Sequence, residues 1–333
     1  MAKIKTAPEF DIVLIGQKGR VGYEAGLFVA SLRQSDPDFA GRVIILEPQE
    51  GGAWAEDPRM PEDLRELFTG TLDAEIRPFD AKHFGAHYPV GNKIEGLQAL
   101  DADRPFVFFD SDTLVTGKIS KIAFDFDRPA ASMRRIGTWP QLEIYGPGYN
   151  EIWGSLYRKA GLDFEGSLDV SQPDEYWERY LYFNAGWFFG RSGPEFGELF
   201  LKHALMIRDN PTEESLLQEL NPWLDQAALP LTIHALGGGR PGPELAGLDG
   251  DITTHYRTFP LLYARESDAA VAAAEAAMSS NKVKKVLKQH EPILRFVLQN
   301  KGQKARKMFD QANLPRKEQA IRNRLKSANL WMR

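Results

Sequence analysis

The sequence predicts an α/β fold, a mostly parallel sheet flanked by helices, with a basic helical extension at its C-terminal end. Three observations predict it. Short apolar runs of strand length alternate with helix-spaced segments through the first 115 residues. One of those runs, Phe106-Val-Phe-Phe109, ends in two acids one residue apart, Asp110 and Asp112. Charge is split along the chain. From residue 281 onward there are 15 Lys/Arg and three acids, while the rest holds 26 bases and 43 acids.

The elements follow in order. Residues 10–16 (Phe-Asp-Ile-Val-Leu-Ile-Gly) read as a first buried strand. Residues 23–33 have helical spacing, with Tyr23, Leu27, Ala30 and Leu32 near one face. Residues 42–47 make a second strand, closed by Pro48, and 51–61 a loop. A short helix covers 62–68, with Pro61 at its start. Residues 92–100 form a helix leading into the strand that ends at Asp110. Strand, helix, strand, helix, strand is the alternation of crossover units in a parallel sheet.

The pattern then loosens. Residues 131–135 read as a further strand and 149–159 as a helix within the aromatic-rich segment 139–180. Residues 182–190 form a strand and 194–206 a helix. A helix begins at Trp223 and is limited by Pro230. Residues 237–242 are a glycine-rich loop and 269–278 an alanine-rich helix. From Lys282 two or three basic helices are expected, with breaks near Pro292, Gly302 and Pro315. No internal repeat is visible.

Composition sets outer bounds. The 333 residues suffice for a sizeable core. With no cysteine, disulfides and thiolate chemistry are excluded. No run approaches the roughly 20 apolar residues of a membrane span, and the first residues lack the apolar core of a signal peptide. The expected location is cytoplasmic.

The acidic pair carries the chemistry. In open α/β sheets ligands bind beyond the carboxyl ends of the strands. Two carboxylates there are costly unless a cation lies between them. A divalent metal carrying a diphosphate meets that need, and an Asp-rich turn is the plainer alternative.

Four segments, in order, extend this to a family. They are Tyr23-Glu-Ala-Gly26-Leu-Phe-Val-Ala-Ser31-Leu32; Lys93; Phe-Phe-Asp110-Ser111-Asp112-Thr-Leu-Val; and Tyr182-Phe-Asn184-Ala-Gly186. Over roughly residues 10–260 the chain resembles nucleotide-sugar glycosyltransferases of the GT-A fold, and among them the glycogenin-like and lipopolysaccharide-galactosyltransferase-like group (glycosyltransferase family 8). The resemblance implies residue roles. Tyr23 would stack on uracil, and Lys93 would reach the sugar diphosphate. Asp110 would contact ribose and metal, Asp112 the metal, and Ser111 and Gly186 would line the donor site. Asn184 would face the donor sugar. Leu224-Asp225-Gln226 is similar to the Asp-Gln pair that holds the sugar hydroxyls beneath the anomeric carbon. His255 falls where a third metal ligand is expected, and the metal would be Mn²⁺ or Mg²⁺. The family pattern after His255 runs Gly, then Lys-Pro-Trp; here it is His255-Tyr-Arg257-Thr-Phe-Pro260, so Arg257 would replace the diphosphate-binding lysine.

The resemblance implies a metal-dependent hexosyltransferase that retains anomeric configuration. It would use a nucleotide-sugar, a UDP-sugar by Tyr23, and a glycan, lipid-linked or protein acceptor. Bacterial-type glycan or envelope polysaccharide synthesis is the expected setting, with no nucleic acid as partner. The catalytic domain is expected at 8–265, with an acceptor-side insert at 139–180 and the basic extension at 266–333. Two alternatives stand beside it: a catalytically degenerate sugar-nucleotide-binding protein, and a haloacid-dehalogenase-type phosphatase using Asp110 and Asp112. For the extension, an amphipathic face docking on an anionic membrane stands against simple packing on the body.

Overall fold

The computed structural model describes residues 9–133 and 137–332. Five strands form the main sheet: β1 (Asp11–Ile15), β2 (Val43–Pro48), β3 (Glu75–Phe79), β4 (Phe106–Phe109) and β6 (Trp187–Gly190). Their spatial order is β3-β2-β1-β4-β6. The first four run parallel and β6 is antiparallel to β4. A separate antiparallel pair joins β5 (Thr113–Val115) to β7 (Thr253–His255).

The central strands are apolar throughout because both faces of the sheet are covered. Side chains alternate between the two layers. Ile12, Leu14, Val43, Ile45, Val107 and Phe109 enter one core. Val13, Ile15, Ile44, Leu46, Phe106 and Phe108 enter the other. The second core is covered by α3 (Asn92–Glu95), α4 (Tyr149–Ala160), α5 (Gly193–Asp209) and α6 (Leu224–Ala235). The first is covered by α1 (Arg20–Ser35), α2 (Glu62–Gly70), α7 (Phe259–Arg265), α8 (Asp268–Ala277) and the C-terminal helices.

Those last helices are α9 (Asn281–Leu287), α10 (Glu291–Ile293), which continues into a π turn over Leu294–Leu298, α11 (Lys301–Arg306) and α12 (Glu318–Ser327). Breaks fall at the three expected places. Their apolar residues do not face outward. Val283, Leu287, Ile293, Phe296, Ala305, Phe309, Ile321 and Leu325 are buried in the same core as β1 and α1. The face that a membrane would have used is spent on the body, and the exposed remainder of α9 is polar: Asn281, Lys282 and Lys285, with Lys288 just beyond. Among the described residues no helix is long and apolar enough to cross a membrane.

Several local expectations change. The strand expected over 182–190 starts only at Trp187, because the chain turns at Asn184–Gly186, where the Gly186 amide donates to Asn184 Oδ1 at 3.1 Å. The expected strand at 131–135 is a single bridge, Ala131 to Phe188, and its last two residues lie outside the described ones. Pro230 does not end its helix: α6 continues to Ala235, since Ala227, Ala228, Leu229 and Leu231 are all buried beside α5. Edge strand β3 and the short β7 have no apolar run to announce them.

Leu287 is fully buried, and a methyl group added at Gly26 of α1 would sit 2.8 Å from its Cδ2. Leu287→Ala is expected to destabilise the whole molecule by about 2–5 kcal/mol, read as one cooperative thermal transition at lower temperature. An early partial transition of the extension, with the body melting as before, would contradict a shared core.

Candidate functional site

The site is assembled from loops at the carboxyl ends of β1 and β4. Gly19, at φ 84°, turns the chain from β1 into α1, a conformation that costs glycine nothing. The turn places Arg20 at the first position of α1. After β4 the chain turns at Ser111–Asp112 before entering β5, and the turn keeps the Asp110 and Asp112 carboxylates within 4.8 Å of each other. The Asp110 amide donates to the Gly186 carbonyl at 2.8 Å, and the Asp112 carbonyl accepts from the Tyr256 amide at 2.9 Å. Pairing of β5 with β7 sets Thr113 opposite His255. That register delivers the imidazole to the acids.

Ligand atoms from Asp110, Asp112 and His255 all lie within 4.8 Å of one another. Nε2 of His255 is 3.0 Å from Oδ1 of Asp112. Nη2 of Arg20 is 2.9 Å from the other oxygen, Oδ2. Gly186 makes the room: a Cβ there would stand 2.5 Å from His255 Nδ1 and 2.8 Å from Asn184 Oδ1. Two hard carboxylates and an imidazole suit Mn²⁺ or Mg²⁺ as a donor set, so these residues fit the expected metal.

Lys93 sits behind the triad. Its Nζ is 2.6 Å from Asp110 Oδ1 and 3.3 Å from Asp225 Oδ2, and it donates to the Ala185 carbonyl at 3.1 Å. Asp225 lies in the first turn of α6, where the helix dipole favours an acid. It accepts from the Tyr88 hydroxyl at 2.9 Å. Its neighbour Gln226 accepts from Tyr182 at 2.7 Å. Side chains of β4, α3 and α6 thus meet at one lysine.

Burial works against the charges of Asp112, Lys93, Asp225 and Glu24, and the partners overcome it at the first two. Burial pushes the Asp112 carboxyl up, but the charge and hydrogen bond of His255, with Arg20 and Lys93, hold it well below the usual carboxylate range. Burial pulls Lys93 down, and Asp110 and Asp225 more than restore it. Asp225 remains raised, because burial outweighs Lys93. Glu24, 1% exposed, is pushed well up by burial and by Asp112. It lies 3.0 Å from Nε of Arg20 and so anchors that guanidinium from below.

These groups open on a cleft of about 200 Å³ lined by Gln17, Arg20, Val21, Lys93, Asp110 and Asp112. The expected residues fall into three groups. Asp110, Ser111, Asp112 and Lys93 line the cleft. His255, Gly186, Asn184, Asp225 and Gln226 adjoin those residues or their partners. Tyr23 and Arg257 are not in the lining themselves, though the Arg257 carbonyl accepts from Arg20 of the lining at 3.3 Å. The ring of Tyr23 stacks on His290 of the extension at 5.6 Å, and its hydroxyl donates to Gln289 at 3.3 Å. Arg257 has Nη1 3.6 Å from Glu318 of α12. Arg20, Glu24 and Tyr88 went unassigned in the sequence. Gly19-Arg20 at the start of a helix after a strand was the available signal; nothing local marks Tyr88.

The sequence matches the Rhodobacterales glycosyltransferase domain over residues 12–237. The chain belongs to this glycosyltransferase family. No curated protein matches it. Among solved structures the glycosyltransferase is similar to the galactosyltransferase LgtC in complex with donor and acceptor sugar analogues, at 16% identity over 82% of this chain and 96% of that one, TM-score 0.48. It is also similar to the apo form of the bifunctional glycosyltransferase WbbM, at 13% identity over 87% and 53%, TM-score 0.46. The apo form of the glycosyltransferase GlyE from Streptococcus pneumoniae TIGR4 matches at 13% identity over 84% and 62%, TM-score 0.44. The glycosyltransferase has a mostly parallel sheet with helices on both faces.

Lys93→Met is expected to cost about 3–5 kcal/mol, because it strands the buried carboxylate of Asp225 and the half-buried one of Asp110. Adding Asp225→Asn should recover part of the loss in thermal or urea unfolding. Equal stability of Lys93→Met and the parent would contradict the lysine's bridging role.

Proposed function

We propose that this glycosyltransferase is a metal-dependent hexosyltransferase that moves a sugar from a nucleotide-sugar donor to a glycan, lipid-linked or protein acceptor. The observation that supports it is the convergence of Asp110, Asp112 and His255 beside Lys93 and Arg20 in one cleft. Asp110, Asp112 and His255 would hold Mn²⁺ or Mg²⁺. When bound, the metal supplies positive charge to offset the leaving diphosphate.

The chain's own groups do the rest. Lys93 and Arg20 add fixed positive charge at the cleft, where phosphate oxygens develop charge as the bond to the anomeric carbon breaks. Asp225, Gln226 and Asn184 form the wall for sugar hydroxyls, and Tyr88 and Tyr182 hold that wall in place. In a retaining transfer the acceptor oxygen bonds to the anomeric carbon, and its proton passes to the departing phosphate, so no separate base is needed. Retention and a preference for uridine rest on the resemblance alone. The same holds for the setting of bacterial-type glycan or envelope polysaccharide synthesis at the cytoplasmic side. With the apolar face of the extension buried, any peripheral membrane contact would fall to its lysines. The segment 139–180 remains our choice for acceptor binding.

The phosphatase alternative would need a second acidic pair, for which the chain offers Asp249-Gly-Asp251. Asp249 accepts from Ser132 at 2.6 Å and from the Trp187 indole at 3.0 Å, so it supports β6 rather than a catalytic site.

Calorimetry of UDP and UDP-sugars with and without Mn²⁺ tests the proposal. Expected is Mn²⁺-dependent binding and slow donor hydrolysis, with turnover reduced at least about a hundredfold in Asp112→Ala. Binding without hydrolysis would favour the degenerate alternative. Nucleotide binding that ignores both Mn²⁺ and Asp112→Ala would overturn the metal assignment.

A further inference from the structure

The basic extension reaches the metal triad through three links. Glu318 opens α12 and is 10% exposed. It takes Arg265 and Arg322 as partners, and Arg257 Nη1 at 3.6 Å. Arg257 stands two residues after His255 and has φ 66°. The Thr258 amide donates to the Tyr256 carbonyl at 2.8 Å, closing a tight turn around Arg257. A non-glycine residue in that conformation persists only when its surroundings hold it there. The turn faces the site from its other side: the Arg257 carbonyl accepts from Arg20 Nη1 at 3.3 Å, and Arg20 Nη2 holds Asp112 at 2.9 Å. The Tyr256 amide meanwhile donates to the Asp112 carbonyl.

We infer that Glu318 is a positioning residue of the metal site, acting through Arg257 to fix the turn that follows His255 and the guanidinium of Arg20 against Asp112. This rests on the proposed metal-dependent reading. It makes the extension a brace behind the site, since the cationic side chain of the positive-φ turn lies 3.6 Å from an acid of α12. A second contact runs alongside: His290 stacks on Tyr23, one turn along α1 from Arg20. Groups that orient metal ligands from behind change metal affinity by about ten- to a hundredfold when removed.

The test titrates Mn²⁺ alone into the full chain, with free Mn²⁺ followed by electron paramagnetic resonance and unfolding followed in parallel. Glu318→Gln and Arg257→Gln are each expected to weaken Mn²⁺ binding about tenfold, and the double variant no further than either alone. Arg306→Ala is the control. It breaks a different tie of the extension, to the Tyr263 and Glu266 carbonyls and to Asp268. It should lower the melting temperature without moving Mn²⁺ affinity. Unchanged affinity in Glu318→Gln, losses that multiply in the double variant, or an equal loss in Arg306→Ala would each overturn the inference. Should Glu318→Gln not fold, Arg257→Gln against Arg306→Ala decides it. Failure of the underlying reading looks different. There the parent itself binds no Mn²⁺, or Asp112→Asn binds it as well as the parent.

Discussion

Everything at this site depends on one electrostatic constraint: Asp110 and Asp112 are held side by side at the end of a buried strand. Neither can be left alone in a poorly solvated place. The fold answers with two cations and an imidazole, from three directions. Arg20 comes from the start of α1, Lys93 from α3, and His255 from β7. Each cation is tied in turn to a further acid or to backbone, so the balance spreads outward. Glu24 anchors Arg20, Asp225 shares Lys93, and the turn at Arg257 connects to Glu318. A divalent metal entering such a network would meet carboxylates and an imidazole already gathered, with the positive charge of Arg20 and Lys93 beside them.

The sheet makes this possible because its two jobs are separated. Alternating apolar side chains bind β1 and β4 into both cores, which leaves polar residues only at or beyond the ends of those strands. Those ends are where Gly19 and Gly186 stand. Gly19 gives the turn into α1, and Gly186 leaves the space that the His255 ring occupies. A side chain at Gly186 would push the ring off the acids without touching either acid.

The central sheet and the acidic motif were legible in the sequence because their signals are local. An apolar run of four to six residues reads as a buried strand, and Asp110-Ser-Asp112 reads as two acids one residue apart at the end of such a strand. What stayed hidden depends on distant partners. β3 lies at the sheet edge with an exposed and polar pattern, Glu-Ile-Arg-Pro-Phe, so periodicity says little. Tyr88 joins the site only through Asp225, 137 residues away. Tyr23 has the spacing of a base platform, yet its ring lies under His290, because the amphipathic residues of α9 pack on α1 and α2. For the same reason the basic extension could not be read from its own pattern. Lysines interleaved with Val283, Val286 and Leu287 look alike whether the apolar side meets lipid or protein.

The central claim is that Asp110, Asp112 and His255 hold a divalent metal that carries the donor diphosphate. Pulsed electron paramagnetic resonance of the Mn²⁺-loaded chain tests it most directly. The account predicts a nitrogen coupling from one coordinated imidazole, absent in His255→Ala, and a phosphorus coupling that appears on adding UDP. Bound Mn²⁺ with neither coupling would contradict the account.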